Sequence, residues 1–114
     1  MSVKKVSKNW GYELWLVNNE KENYCSKILH ILSGCNTSMH FHALKHETFY
    51  IQKGTLLIKI IDTQSKEIKE VILNEGDTYE LDRLVPHQLI AKNNDVTFLE
   101  TSTFHRDSDS YKLF

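Results

Sequence analysis

Two histidines and a glutamate, His40, His42 and Glu47, sit in the segment G-C-N-T-S-M-H-F-H-A-L-K-H-E-T-F-Y-I-Q-K-G, which runs from Gly34 to Gly54. In an extended strand alternate side chains share a face, so His40 and His42 point the same way and Glu47 can return on the next strand to meet them. Imidazoles beside a carboxylate are a donor set for a divalent transition metal, Mn, Fe, Co, Ni or Zn, without selecting among them. A further histidine, His87, follows in G-D-T-Y-E-L-D-R-L-V-P-H, where Pro86 fixes the backbone just before it. One more strand completes a site of His40, His42, Glu47 and His87. His46 adjoins Glu47 and by alternation faces outward, though a local bulge could exchange the two roles.

The elements that position these residues are short. Runs rich in Val, Ile, Leu, Thr and aromatics span 12–17, 24–32, 47–52, 55–62, 67–73, 77–81, 87–92 and 96–101, separated by turn residues such as Asn18-Asn19, Ser33-Gly34, Lys53-Gly54 and Asn93-Asn94-Asp95. No helical periodicity of 12 or more residues interrupts them. Eight or so short strands in 114 residues predict an all-β sandwich or barrel in one domain, 1–114. Leu56, Ile58 and Ile60 alternate with Lys59, so that face points inward. By the same parity Phe49 and Ile51 share the face of Glu47, Leu89 and Ala91 that of His87, and Phe98 that of Glu100. The ligands therefore stand among apolar residues, where a polar group needs a partner.

Charge is balanced, 14 Lys and Arg against 15 Asp and Glu, which leaves no global basic field for nucleic acid or an anionic membrane. The start M-S-V-K-K-V-S-K-N-W lacks an apolar signal-peptide core, and no run approaches the ~20 apolar residues that span a bilayer. A cytoplasmic protein is expected. Cys25 and Cys35 have no C-x-x-C spacing and read as reduced thiols. His30 and His105 have no partner at ligand spacing and read as ordinary histidines. Residues 105–114 are polar until Tyr111 and read as a tail. Trp10 and Trp15 are core or subunit-packing aromatics, with sugar stacking as the alternative.

The Gly34-to-Gly54 segment resembles the first signature of the cupin superfamily at every spacing. The second signature, 76–93, is half present: Gly76-Asp77 and Pro86-His87 fit, Asp82 and Leu84 stand where the family usually shows proline and glycine, and Asn93 lies two residues late. The resemblance implies a jelly-roll barrel, or double-stranded β-helix, holding a metal on the residues matching His40, His42, Glu47 and His87. Trp10-Gly11-Tyr12-Glu13, Tyr24, Lys27, Lys45-His46-Glu47-Thr48-Phe49, Glu100-Thr101, Asp107, Asp109 and Tyr111 further resemble cupin-type phosphomannose isomerases, which often carry glutamine at the place of His40. This narrower resemblance implies a metal-dependent sugar-phosphate or nucleotide-sugar isomerase or epimerase, with Lys27 and Lys45 as substrate cations.

For proton transfer the candidate is Glu100, whose apolar surroundings would raise its pKa, with a buried structural carboxylate as the alternative and Tyr50 or Tyr79 as further acids. Two rival functions share the scaffold: an iron-dependent dioxygenase with the same ligands, and a non-catalytic module that binds a metabolite. Edge strands left by so small a barrel suggest a homodimer.

Overall fold

A computed structural model describes residues 2–114. Eleven strands form two antiparallel sheets: β1 (Lys4–Lys8), β2 (Gly11–Asn19), β3 (Tyr24–Ile31), β4 (His40–Phe41), β5 (Glu47–Lys53), β6 (Leu56–Ile61), β7 (Ile68–Leu73), β8 (Thr78–Leu81), β9 (His87–Ile90), β10 (Val96–Ser102) and β11 (Tyr111–Lys112). One sheet runs β1-β2-β3-β10-β5-β8 and the other β11-β4-β9-β6-β7. This is the all-β jelly-roll architecture that the signatures imply. All eight apolar runs become strands. The structure adds β1, β4 and β11, whose sequences are polar or too short to show a period.

Between the sheets the expected inward faces make one core. Phe49, Ile51, Leu56, Ile58, Ala91, Val96 and Phe98 are fully buried, and Phe49 and Phe98 meet edge to face at 5.4 Å. Burying them provides most of the driving force, at about 1.5–3 kcal/mol for each large apolar side chain. The core fills only one end of the space between the sheets. At the other end the same inward parity carries Lys27, Glu47, His87 and Glu100, all buried. Gly54 closes the first signature at φ 86°, and a Cβ there would run into the carbonyl oxygen of Asp95, so the turn onto β6 requires glycine.

The half-present second signature has a visible cost. Leu84, in the place of the family's glycine, adopts φ 69° with its side chain 57% exposed, while its amide donates to the carbonyl of His42 at 2.8 Å. A left-handed residue with a Cβ costs roughly 1–2 kcal/mol, and glycine's extra freedom in the unfolded chain takes back about 0.5–1. Leu84→Gly is therefore expected to stabilise by up to about 1 kcal/mol, seen as a higher urea midpoint at unchanged slope.

The terminal segment is not a free tail. Residues 107–109 form a 3-10 turn, β11 pairs with β4, and the amide of Leu113 donates to the carbonyl of Met39 at 2.8 Å. Both cysteines are free thiols, Cys25 buried. Among the described residues no helix is long and apolar enough to cross a membrane.

Candidate metal centre

Pairing of β4 with β9 sets His40 directly opposite His87. His42 follows one residue beyond β4, and Glu47 opens β5 in the facing sheet. One ring nitrogen from each of His40, His42 and His87 lies within 4.8 Å of the others. The remaining ring nitrogens are accounted for: Nδ1 of His40 bonds the Ser38 carbonyl at 2.8 Å, Nδ1 of His87 the Val85 carbonyl at 3.0 Å, and Nδ1 of His42 the Asp109 carbonyl at 2.8 Å. A carbonyl only accepts, so each Nδ1 carries the proton and each Nε2 presents a lone pair. Such hydrogen bonds are how a metal-ligating histidine is held in tautomer and orientation.

The carboxylate completes the cluster. Glu47 Oε2 stands 3.6 Å from Nε2 of both His42 and His87, too far for a hydrogen bond and close enough to share a cation. Burial, then the charge of Lys45 and after it those of His40 and His87, hold the His42 pKa down to about 3, and burial followed by the charge of His40 does the same for His87. His40 is lowered as well, chiefly by burial. Three neutral imidazoles beside one buried carboxylate fit a divalent transition metal in type and placement.

Behind Glu47 lies a buried charge cluster. Lys45 Nζ is 3.2 Å from Glu100, 3.8 Å from Glu47 and 3.2 Å from Nδ1 of His105, which in turn meets Asp107 at 2.9 Å through Nε2. Burial raises Glu47 to about 8, helped by the charge of Glu100. Burial acts on Glu100 too, but Lys45 and Lys27 outweigh it and leave its carboxyl at about 2. The expected raised acid at Glu100 is thus corrected: its two lysine neighbours keep it ionised. The row across the sheet is Trp15, Lys27, Glu100, with Lys27 Nζ 4.1 Å above the Trp15 ring and 3.4 Å from Glu13.

Other expectations sort by position. Tyr50 is 42% exposed on the outer face of β5, turned away from Glu47 by strand parity, and so is not brought to the site. Tyr79 packs against the apolar core, opposite Phe49 on β5. His46 does face outward, 2.7 Å from Glu80. Lys27 and Lys45 line the cavity but are engaged by Glu13, Glu47 and Glu100. His30 is tied to Thr97 and Asp95. His105 is not an ordinary histidine, since it is the third acceptor around the Lys45 ammonium.

Without metal these groups set an acid limit. The unfolded chain takes up protons near pH 6.5 at three imidazoles whose pKa values burial lowers in the folded chain, to about 3 for His42 and His87, so stability falls as pH drops below ~6.5. Glu47 works oppositely, holding a proton in the folded state up to about 8 that the unfolded chain gives up, but it is one group against three. Urea midpoints of chelator-treated protein are expected to peak near neutrality and decline steadily towards pH ~5.

The site faces a cavity of about 1040 Å³ whose wall carries six lysines against four carboxylates, together with Trp10 and Trp15.

Residues 12–113 match the family model described as 3-hydroxyanthranilic acid dioxygenase. A 3-hydroxyanthranilate 3,4-dioxygenase of Candida albicans is 38% identical over 58 residues, half of this chain and 33% of that protein, so the chain matches about a third of its curated relative's length. Among solved structures, the capsular polysaccharide assembling protein CapF of Staphylococcus aureus superposes with a TM-score of 0.85 at 15% identity, over 97% of this chain and 34% of that one. Oxalate decarboxylase of Bacillus subtilis gives 0.84 at 19% identity, over 97% and 30%. At these identities the two structures speak for the barrel alone.

Proposed function

Because the chain belongs to the 3-hydroxyanthranilic acid dioxygenase family, we propose that it is an iron-dependent cupin dioxygenase acting on a small aromatic acid of the 3-hydroxyanthranilate class. The observation that carries the reading is the convergence of three ring nitrogens, one from each histidine, within 4.8 Å, each imidazole bonded through Nδ1 to a backbone carbonyl, with Glu47 beside them. The expected sugar-phosphate or nucleotide-sugar isomerase is corrected by the family match, which covers 12–113, and by the dioxygenase from Candida albicans. The isomerase reading leaned on residues around a cupin site that cupins of different chemistry share.

In this proposal His40, His42, His87 and Glu47 hold the iron. Iron(II) bound there supplies the one-electron chemistry by which ground-state O2 reacts with an electron-rich aromatic. The chain's own residues do the rest. The excess of lysine over carboxylate around the cavity favours an anionic acid, and Lys27, buried against Trp15, is the cation placed deepest beside an aromatic face. Glu100, kept ionised by Lys45 and Lys27, lines the cavity as a hydrogen-bond acceptor for a substrate hydroxyl. Trp10, Trp15 and the inner strands limit water around the ring.

The test is oxygen uptake by the iron(II)-loaded chain given 3-hydroxyanthranilate in an oxygen electrode. A dioxygenase consumes one O2 for each substrate lost. Iron confirmed in the protein with no uptake across hydroxylated aminobenzoates would overturn the reading and leave a metabolite-binding module.

A further inference from the structure

The terminal segment supplies one wall of the cavity. Ser110, Lys112 and Phe114 line it, alternate residues of an extended stretch and so on one face, while Tyr111 turns to the other face and stacks on Phe41 at 5.0 Å. The register sets Lys112 directly opposite His40, and His40 is in turn opposite His87. Directly opposed residues of an antiparallel pair share a face, with Cβ atoms about 4.5–5.5 Å apart. A row across the sheet therefore runs Lys112, His40, His87, and the lysine stem starts one strand away from the imidazole cluster. Two backbone hydrogen bonds hold the strand there: the amide of Leu113 donates to the carbonyl of Met39 at 2.8 Å, and the amide of Met39 donates to the carbonyl of Phe114 at 2.9 Å.

Of the six lysines around the cavity, the other five are engaged or remote. Lys45 lies between Glu47 and Glu100, and Lys27 is 3.4 Å from Glu13. Lys4 rests over the Trp15 ring and Lys5 over the Tyr12 ring, each at 4.6 Å. Lys8 ends β1, with three strands between it and the β5 that carries Glu47. Lys112 is left: among the described residues it makes no ion pair and sits over no aromatic ring, and it is exposed at the cavity wall. Phe114 stands on the same face, its side chain 75% exposed. A free ammonium and a bare aromatic ring on one wall, next to a metal ligand, are complementary to an aromatic ring that carries a carboxylate.

We propose that Lys112 binds the carboxylate of the substrate, with Phe114 against its ring, so that the terminal strand decides which edge of the acid faces the imidazoles. The assignment rests on the dioxygenase reading for the kind of acid bound, and it is tested by binding rather than by turnover.

Calorimetric titration of the iron(II)-loaded full chain without oxygen gives the affinity directly. Lys112→Met should bind 3-hydroxyanthranilate at least about tenfold more weakly than the parent chain, the loss of one charge-assisted contact, and Lys112→Arg should stay within about threefold of the parent. Iron content should be unchanged in both. 2-Aminophenol, the same ring without the carboxylate, should bind the parent and Lys112→Met alike, which a merely structural role for β11 would not produce. Equal affinity of the parent and Lys112→Met for 3-hydroxyanthranilate would overturn the assignment, as would an equal loss for 2-aminophenol or a parent chain that does not bind the acid. Binding in the expected pattern without oxygen uptake would overturn the dioxygenase reading alone, and uptake with an unaltered Lys112→Met affinity would overturn the role of Lys112 alone.

Discussion

His42→Ala is expected to lose bound iron, and with it oxygen uptake, by more than about a hundredfold. Removing a group that merely hydrogen-bonds a metal ligand already costs roughly 10–100-fold, and this substitution removes the ligand itself. Two imidazoles and Glu47 would remain, with an open position where Nε2 of His42 had stood 3.6 Å from the carboxylate. The fold should survive, because His42 lies beyond the end of β4 and outside the apolar cluster that holds the sheets together. His87→Ala should act alike. His46→Ala is the internal control: its ring meets Glu80 on the outer surface, so metal content should stay at the wild-type level. The readouts are metal analysis after desalting and oxygen consumption on the same samples. Full iron content in His42→Ala would mean that these imidazoles do not form the site.

The site was legible in the sequence to the extent that strand parity and spacing could carry it. Alternation set His40 and His42 together, and counting along the next strand put Glu47 with Phe49 and Ile51, all buried. His87 could be added because Pro86 and the turn after Gly76 resemble a known pattern. The substrate class was not legible. Lys27, Lys45 and Glu100 were found, yet their meaning depends on one another: a lysine in isolation reads as an anion ligand, while Lys45 lies between two carboxylates and is occupied by them. For the same reason Glu100 came out with the wrong sign, since its apolar strand neighbours are adjacent in sequence and its two lysines are not. The roles of His105 and Asp109 were beyond reach. Their partners lie 60 or more residues away, and nothing in a polar segment near residue 109 marks which side chain turns inward. Strands β1, β4 and β11 escaped likewise, because each is defined by the partner it pairs with.

Asp109 is where that hidden part of the design has its largest consequence for stability. Its side chain is 3% exposed, and its two oxygens accept from the amides of Ala43, Leu44 and Lys45 at 2.9–3.2 Å, while its own carbonyl accepts from Nδ1 of His42 at 2.8 Å. One residue thus closes the loop between β4 and β5 from both sides: the side chain gathers three backbone donors that no strand satisfies, and the main chain sets the ring of His42. Asp109→Ala leaves those three donors without the carboxylate. Some regain water, but each that stays buried costs about 1–3 kcal/mol, so a loss of roughly 3–5 kcal/mol in unfolding free energy is expected. Asp109→Asn keeps one acceptor oxygen and should lose less than half as much. Metal affinity should fall in the same order, by about 10–100-fold for alanine, because a loosened loop no longer holds His42 against His40 and His87. Urea unfolding of chelator-treated protein measures the first effect and competition with a chromophoric chelator the second. If Asp109→Ala unfolded like the parent chain, the terminal turn would be a passive cover and the orientation of His42 would have to come from β4 alone.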